Sequence, residues 1–281
     1  MPIRTTKLME MKQAGERIAC VTAYDFPTAR LAAAAGLPLI LVGDSLGNVV
    51  LGYDSTLPVT MDDMVHHTRA VVRGAPDALV VADMPFMSYQ VNADEAMRNA
   101  GRLMQEGGAS AVKLEGGQHI AETVSRLTDA GIPVMGHLGL TPQSVNQLGG
   151  YRVQGRTLPE AQRMLDDADA LERGGAFSIV LETVPAPLAA VVTKRLRVPT
   201  IGIGAGAECD GQIQVLHDIL GLGTRQPKHG KRYADLNAVI GEALQRYAAQ
   251  VREGTFPAEE HATDIDDAVL QELLGAVESE R

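Results

Sequence analysis

The 281-residue sequence lacks the features that would place the protein in a membrane or on nucleic acid. It has no run of the ~20 consecutive apolar residues that span a bilayer. Its N-terminus, MPIRTTKLMEMKQAGERI, lacks the apolar stretch of a signal peptide. Its formal net charge of -10 favours neither nucleic acid nor an anionic membrane as a partner. We therefore expect a protein that binds neither.

Cysteine is also scarce. The two cysteines, Cys20 and Cys209, lie far apart in the sequence, one in a predicted strand and the other in a glycine-rich segment. This usage is typical of a reduced, cytoplasmic protein rather than of a disulfide-stabilised secreted one.

Apolar segments of strand length recur along the chain, and helix-like segments such as 27–35, 93–106, 118–130 and 159–173 separate most of them. Several helical segments end in glycine, as in AAAAGLP and TDAGIP, which is typical just past a helix terminus. Alternation of this kind predicts an α/β fold with a parallel sheet. Eight repeats favour a closed (β/α)8 TIM barrel, which needs ~250 residues, and a doubly wound open sheet is the alternative. The predicted strands are 18–25, 38–45, 78–86, 110–116, 132–140, 177–184, 198–205 and 213–221, the last of which could equally be a helix.

The C-terminal segment differs in composition from the rest of the chain. We predict a single barrel domain over residues 1–250 and an acidic C-terminal extension over 251–281. The extension has a helical pattern, DIDDAVLQELLGAV, that is typical of a solvated or docking helix.

Ionisable side chains follow most of the predicted strands at their carboxyl ends, where the active site of a (β/α)8 barrel lies. A single aspartate at such a position is often only a helix cap, but convergence of four carboxylates, a lysine and a histidine on one rim predicts a functional site. The residues at these ends are Tyr24, Asp25, Asp44, Ser45, Asp83, Lys113, Glu115, His137, Glu182 and the glycine-rich 202–206.

Clustered carboxylates repel one another, and a divalent cation relieves that repulsion. Because the candidate ligands are oxygens, with no set of cysteine and histidine ligands, they indicate Mg²⁺ or a similar hard ion. Mg²⁺ usually takes one or two carboxylates and keeps its other positions for water and substrate. We predict that Asp44 and Asp83 ligate the ion and that Glu115 holds a metal-bound water.

Three other side chains on the rim are candidates for substrate binding or catalysis, and each also has a structural alternative. Lys113 lies two residues before Glu115, so both side chains point to one face of a strand. We expect the Lys113 ammonium to bind a carboxylate of the substrate. An ion pair between Lys113 and Glu115 is the alternative. Glu182 ends an apolar strand and suits a general base, with a cap or ion pair as the alternative. His137 could bind substrate or pack its loop.

Two loops also invite a functional interpretation. Residues 46–61, LGNVVLGYDSTLPVTM, are long for a connection between strand and helix, and long loops on this face are often lids. The segment IGIGAGAECDGQ looks like a phosphate loop, but Ala207 breaks the G-x-G-x-x-G pattern, so a tight turn is the alternative.

These motifs together resemble those of the ketopantoate hydroxymethyltransferase family over roughly residues 5 to 250. The resemblance rests on long segments in the same order and spacing, which leave the acidic extension outside. They are VTAYD, LVGDSLGNVVLGYDSTLPVTMDDM, VADMPFMSY, AVKLEGG, PVMGHLGLTPQSVNQLGGYRVQGR, IVLETVP and IGIGAG…CDGQ.

The resemblance implies a Mg²⁺-dependent barrel enzyme of pantothenate and coenzyme A biosynthesis. Such an enzyme transfers a hydroxymethyl group from 5,10-methylenetetrahydrofolate to 3-methyl-2-oxobutanoate (α-ketoisovalerate) through a Mg²⁺-stabilised enolate. The resemblance also implies a homo-oligomer, a decamer built from rings of subunits. The residue roles that it implies are metal binding by Asp44, Asp83 and Glu115, keto-acid binding by Asp44, Ser45, Asp83 and Lys113, and proton abstraction by Glu182.

Two other classes of function remain open on the sequence alone. One is a lyase or mutase of the isocitrate lyase and phosphoenolpyruvate mutase type, although such enzymes often carry a catalytic cysteine in a lid loop and both cysteines here lie elsewhere. The other is a barrel that binds a metal or an anion without catalysis, which the carboxylate at Glu182 argues against.

Overall fold

Eight parallel strands form a closed barrel in the computed structural model, which describes residues 2–223 and 226–279. Each strand pairs with the next in sequence, and the last pairs with the first. The strands are β1 (Ile18–Thr22), β2 (Leu39–Val42), β3 (Leu79–Asp83), β4 (Ala111–Glu115), β5 (Val134–Gly139), β6 (Ser178–Glu182), β7 (Thr200–Ile203) and β8 (Gly211–Gln214).

Helices precede, separate and follow these strands. Short 3₁₀ turns cover Gln118–Ile120, Pro142–Ser144 and Glu259–His261. The helices are α1 (Thr5–Ala14), α2 (Phe26–Ala34), α3 (Leu46–Val49), α4 (Met61–Gly74), α5 (Ala93–Gln105), α6 (Ala121–Asp129), α7 (Val145–Leu148), α8 (Leu158–Arg173), α9 (Ala186–Arg195), α10 (Leu216–Leu220), α11 (Leu236–Glu253) and α12 (Asp267–Ser279).

Side-chain caps explain where several helices begin. Thr60 caps α4 and Thr157 caps α8, and each forms a capping box with the acid three residues later, Asp63 or Glu160. Asp25 caps α2 by accepting a backbone N–H of the first turn at 2.8 Å. Asp25 is therefore a structural residue rather than a member of the rim cluster.

The predicted fold, one (β/α)8 barrel domain with a helical C-terminal extension, is confirmed, and closure of the sheet excludes the open alternative. The first seven strands fall within their predicted segments, but the eighth strand was misplaced, and the helix left open as its alternative forms over most of that segment. Strand β8 is Gly211–Gln214, and most of the predicted segment 213–221 is occupied by helix α10.

The short connection between β7 and β8 is the physical reason for that error. Parallel strands are ordinarily joined by a dozen or more residues, whereas residues 204–210 alone make this connection and form no helix. Gly204 and Gly206 have φ of 65° and 84°, a region that glycine enters without steric cost. The glycine-rich segment is thus a tight turn between two strands.

Alternate residues of each strand point into the barrel. The deeper inward positions are apolar and buried, and include Val81, Ala111, Met135 and Val180. Two to four residues further along these strands, the same face meets the mouth of the barrel. There it carries Asp83, Lys113, Glu115, His137 and Glu182.

Helix α1 closes the opposite, amino end of the barrel. Its Leu8 is fully buried and packs in the inner core with Ile18 and Leu39. Lys12 on the same helix places its Nζ 2.9 Å from Asp210 Oδ2 and also donates to two backbone carbonyls at 3.0 and 3.1 Å. This ion pair fastens the helix to the turn before β8.

The chain divides after Ala234 into two compact units. The second contains α11 and α12, neither of which buries a residue. The assignment of a catalytic domain to residues 1–250 and of an acidic extension to residues 251–281 stays a prediction. Helix α11 continues across residue 250, so that boundary lies inside a helix. No helix within residues 2–223 and 226–279 has the length and apolarity needed to cross a membrane.

The replacement Lys12→Met should destabilise the barrel. It leaves Asp210 without its cation at a site where both side chains are about 15% exposed, so we expect a loss of about 2 kcal/mol in the free energy of unfolding, below the ~3–5 kcal/mol of a fully buried pair. Urea denaturation measures this. The control Lys7→Met breaks an exposed pair with Glu10 on the same helix and should cost less than ~0.5 kcal/mol. Equal losses in the two variants would contradict the assigned role of Lys12.

Candidate active site

A cavity of about 510 Å³ opens at the carboxyl ends of the strands. The structure brings all the predicted site residues together on its wall, although their individual roles stay predictions. Most of these side chains are at most 5% exposed, so their charges interact in a poorly solvated space. The residues are Asp44, Ser45, Asp83, Lys113, Glu115, His137 and Glu182.

Lys113 pairs with Asp83 on the neighbouring strand. Its Nζ lies 2.7 Å from Asp83 Oδ1, and the backbone N–H of Asp44 donates to Asp83 Oδ2 at 3.0 Å. Burial opposes a charged lysine, but Asp83, Glu115 and Asp44 together hold the pKa of Lys113 well above its usual value. The ammonium is therefore charged, and its ion-pair partner is Asp83 rather than the Glu115 considered from the sequence.

His137 lies between two carboxylates at the centre of the cluster. Its Nδ1 is 3.3 Å from Glu115 Oε1, and its Nε2 is 3.3 Å from Glu182 Oε2. Burial and the nearby Lys113 ammonium disfavour a charged imidazole, yet Glu115 and Glu182 raise the pKa of His137 to about 9. We therefore assign an imidazolium that faces both carboxylates. The 3.3 Å approach of Lys113 Nζ to Nδ1 is then a contact between like charges rather than a hydrogen bond.

The cluster carries more negative than positive charge. Asp44, Asp83, Glu115 and Glu182 are acids, and only Lys113 and His137 oppose them. Burial, together with the charges of Asp83 and Glu115, raises the pKa of Asp44 to about 8. With all four acids ionised the excess would be two negative charges, and one bound divalent cation would favour that ionised state.

Gln143 joins the two sides of this cluster and was not predicted from the sequence. Its side-chain N–H groups donate to Asp44 Oδ2 and to the Met84 carbonyl, both at 2.9 Å. Its backbone N–H donates to Glu115 Oε2 at 3.0 Å, and its Oε1 accepts from the Tyr89 hydroxyl at 2.8 Å. Gln143 is 5% exposed, so every polar group of its carboxamide is matched inside the protein.

The sequence signal for Gln143 is weak because the residue is uncharged and lies beyond the strand, in the 3₁₀ turn Pro142–Ser144. The preceding Pro142 marks that turn. The side chain becomes important only because the fold carries this turn over β2 and β4.

Ser45 is held beside Asp44 by close packing. Its Oγ lies 2.8 Å from the hydroxyl of Tyr24, which is buried two residues beyond β1. A Cβ on Gly43 would lie 2.7 Å from Ser45 Oγ. A residue larger than glycine at position 43 would therefore displace the serine hydroxyl from the cavity.

The backbone around Glu182 is unusual. Thr183, the next residue, has φ of 51°, which is rare for a β-branched side chain. The Glu182 carbonyl accepts from Leu140 N–H at 2.8 Å, and Thr183 N–H donates to the Ile203 carbonyl at 2.8 Å. Strands and loops on both sides thus hold a strained conformation beside a carboxylate that lines the cavity.

The loop over residues 46–61 contributes Asn48, Val49, Asp54 and Thr56 to the cavity wall. It begins with helix α3 and ends at the cap of α4. Its position at the mouth agrees with the expected place of a lid, and its closure stays a prediction.

A (β/α)8 barrel with acids, a lysine and a histidine converging at its carboxyl end has the architecture of the barrel enzymes, a class whose active sites lie at that end of the strands. Within that class, the ketopantoate hydroxymethyltransferase family model matches residues 2–259. The chain belongs to this family.

Curated relatives agree over nearly the full length. A 3-methyl-2-oxobutanoate hydroxymethyltransferase of Dehalococcoides mccartyi (strain BAV1) is 60% identical over 278 residues, 98% of this chain and 100% of the relative. One of Chloroflexus aurantiacus (strain J-10-fl) is 61% identical over 277 residues, 98% of each chain. The chain is accordingly an enzyme, a hydroxymethyltransferase, and the non-catalytic alternative is excluded.

Solved structures with low sequence identity share the fold. Phosphonopyruvate hydrolase in complex with oxalate and Mg²⁺ aligns with a TM-score of 0.61 at 15% identity and covers 99% of both chains. A 2,3-dimethylmalate lyase of the phosphoenolpyruvate mutase and isocitrate lyase superfamily aligns with a TM-score of 0.59 at 18% identity, covering 100% of this chain and 97% of the lyase. At this identity the likeness shows a common barrel.

The replacement Gln143→Met should weaken the site's polar framework. Methionine keeps the length but leaves Asp44 and the Met84 carbonyl without a donor, so we expect the free energy of unfolding to fall by about 2 kcal/mol in urea denaturation. The control Gln90→Met removes an exposed side chain that donates to the same Gln143 Oε1 at 3.1 Å and should cost less than ~0.5 kcal/mol. Wild-type stability in Gln143→Met would refute this role.

Proposed function

We propose that the enzyme transfers a hydroxymethyl group from 5,10-methylenetetrahydrofolate to 3-methyl-2-oxobutanoate, yielding 2-dehydropantoate (ketopantoate) and tetrahydrofolate, as a step of pantothenate and coenzyme A biosynthesis. One observation carries the proposal. The carboxylate of Glu182 shares one cavity with the adjacent pair Asp44 and Asp83. A base beside a cation site is what proton abstraction next to a carbonyl needs.

The side chains at the mouth fit Mg²⁺. Asp44 and Asp83 are buried oxygen donors beside an open cavity, and with all four acids ionised the cluster would carry an excess of two negative charges. Among the described residues, no three histidine, cysteine, aspartate or glutamate side chains are placed to hold a metal ion together, so two carboxylates would have to supply the protein ligands. Such an arrangement suits Mg²⁺, which uses few carboxylates and keeps positions for water and substrate. We propose that Asp44 and Asp83 hold the ion and that Glu115 orients a metal-bound water.

The Mg²⁺ ion supplies Lewis acidity that stabilises negative charge on the keto oxygen. Lys113, the Ser45 hydroxyl and Asp83 hold the carboxylate end of the keto acid in this proposal. Glu182 accepts the proton from C3, and the His137 imidazolium beside it keeps the carboxylate oriented. Water cleaves the two C–N bonds that hold the one-carbon unit, so its two protons go to the folate nitrogens, tetrahydrofolate leaves, and its oxygen stays on the carbon as formaldehyde. The C3 carbanion then adds to that carbon, and the proton held on Glu182 returns to the new hydroxyl oxygen.

Product analysis tests the proposed reaction. The enzyme, α-ketoisovalerate, 5,10-methylenetetrahydrofolate and MgCl₂ should yield 2-dehydropantoate and tetrahydrofolate, identified by mass spectrometry. Omission of any one component should abolish the product. Absence of 2-dehydropantoate in the complete mixture would overturn the proposal.

The replacement Lys113→Met should weaken keto-acid binding. It removes a charge-assisted hydrogen bond worth ~1.5–3 kcal/mol, so KM for α-ketoisovalerate should rise about tenfold or more while KM for the folate stays nearly unchanged. The exposed Lys194→Met is the control. An unchanged keto-acid KM would mean that Lys113 serves only its ion pair with Asp83.

The replacement Glu182→Gln should abolish proton abstraction. Deprotonation at C3 needs no folate, so the wild-type enzyme with Mg²⁺ should exchange the C3 proton of α-ketoisovalerate for deuterium, which NMR detects. Glutamine keeps the size but accepts no proton, so exchange and transfer should both fall at least ~100-fold. Wild-type exchange in Glu182→Gln would point to another base, with His137 the next candidate. The exposed Glu122→Gln serves as control.

We also propose a cytoplasmic homo-oligomer, a decamer as in the family. Cys20 and Cys209 are both buried free thiols, which supports a reducing compartment. Helix α11 exposes the apolar side chains Val239, Leu244 and Tyr247, which supports contact with another subunit.

A further inference from the structure

One buried hydroxyl group lies behind the carboxylates of the site. Tyr89 is 2% exposed and belongs to the loop that joins β3 to α5. Neither Tyr89 nor Gln143 is among the described residues that line the cavity. Any role of Tyr89 in the reaction must therefore pass through the residues that it contacts.

The Tyr89 hydroxyl connects the backbone of β4 to the carboxamide of Gln143. The backbone N–H of Glu115 donates to the hydroxyl oxygen at 3.1 Å. The hydroxyl proton has Gln143 Oε1 at 2.8 Å, nearer than the Glu115 carbonyl at 3.2 Å. A backbone N–H can only donate, so it occupies a lone pair of the hydroxyl and leaves the proton for Gln143 Oε1. The amide oxygen of Gln143 is thereby held on the side of Tyr89, and its amide nitrogen faces the opposite side.

That amide nitrogen fixes one oxygen of Asp44. Gln143 Nε2 donates to Asp44 Oδ2 and to the Met84 carbonyl, both at 2.9 Å. The Met84 carbonyl can only accept, so both ends of the carboxamide have one possible direction. Asp44 Oδ1 accepts no hydrogen bond from residues 2–223 or 226–279. The carboxylate thus has one oxygen fixed by the protein and one left to bind a cation.

The same framework orients the other two acids of the proposed metal site. The backbone N–H of Gln143 donates to Glu115 Oε2 at 3.0 Å. The backbone N–H of Asp44 donates to Asp83 Oδ2, also at 3.0 Å. The positions of all three carboxylates therefore depend on one set of buried hydrogen bonds.

The loop over residues 84–92 holds Tyr89 in place. Ser88 Oγ donates to the Pro85 carbonyl at 2.7 Å, and the Asn99 side chain on α5 donates to the Ser88 carbonyl at 2.7 Å. Met87 has φ of 66°, which is uncommon for a residue other than glycine. Contacts on both sides of the turn thus maintain an unfavourable conformation that points the tyrosine inward.

We propose that Tyr89 is a positioning residue for the metal site, which acts through Gln143 on the carboxylate of Asp44. This assignment rests on the proposed function, in which Asp44 and Asp83 hold Mg²⁺. Removal of a group that orients a metal ligand typically lowers metal affinity by roughly 10- to 100-fold. Loss of the Tyr89 hydroxyl should therefore weaken metal binding although the residue contacts neither the ion nor a substrate.

The variants Tyr89→Phe and Gln143→Met test this assignment through Mn²⁺ binding, measured from the EPR signal of free Mn²⁺ in a titration without substrate. Gln143→Met should weaken binding about tenfold or more, and Tyr89→Phe about fivefold or more. Because Tyr89 acts through Gln143, the double variant should bind within about twofold of Gln143→Met, rather than show the product of the two losses.

Two control variants separate this effect from a general loss of stability. Gln90→Met removes an exposed side chain that donates to the same Gln143 Oε1 at 3.1 Å. Ser178→Ala removes a buried hydroxyl that donates to the Pro199 carbonyl at 2.9 Å, at the amino end of β6. Both variants should bind Mn²⁺ within about twofold of wild type, because neither removes a group that orients a carboxylate of the site.

Wild-type affinity for Mn²⁺ in Tyr89→Phe would overturn the assignment. Losses that multiply in the double variant would also overturn it, because Tyr89 would then act independently of Gln143. An equal loss in Ser178→Ala would do the same, since any lost buried hydrogen bond would then have this effect.

Failure of the proposed function gives different results. A wild-type enzyme that binds no Mn²⁺ would overturn the metal site and the role of Tyr89 together. A wild-type enzyme that binds Mn²⁺ but forms no 2-dehydropantoate would overturn the proposed reaction alone and leave the role of Tyr89 supported by the variants.

Discussion

Repulsion among four carboxylates at the mouth of the barrel is the constraint on which the rest of the site depends. Asp44, Asp83 and Glu115 are each at most 5% exposed, so water screens their charges poorly. Lys113 and His137 compensate part of this charge, and the pKa of Asp44 is raised first by its burial and then by the charges of Asp83 and Glu115. The cation that completes the balance in our proposal is also the Lewis acid that the chemistry needs. In this proposal, electrostatic compensation and catalysis draw on the same carboxylates.

Much of this arrangement is predictable because it follows from strand periodicity. Asp83, Lys113, Glu115 and Glu182 lie at the carboxyl ends of apolar segments, and a closed parallel barrel brings those ends to one rim. The alternation of side chains explains why Lys113 and Glu115 share the inward face of β4. The barrel was predictable for the same reason, since seven strands are long apolar runs bounded by glycine or polar residues.

Other parts depend on the paths of loops, for which the sequence has no periodic signal. Gln143 matters because a turn after β5 crosses toward β2 and β4. Strand β8 was misplaced because the tight turn 204–210 replaces a helical connection. The roles of residues such as Gln143 depend on their burial and hydrogen-bond partners, which no sequence pattern predicts.

The central claim, that a divalent cation balances the buried carboxylates, is tested most directly by locating the ion. Crystals grown with MnCl₂ and α-ketoisovalerate should show one strong anomalous peak within ~2.0–2.3 Å of oxygen atoms from both Asp44 and Asp83, and no such peak in an Asp83→Asn variant. A peak bound to other side chains, or a wild-type site without manganese at full catalytic activity, would contradict the claim.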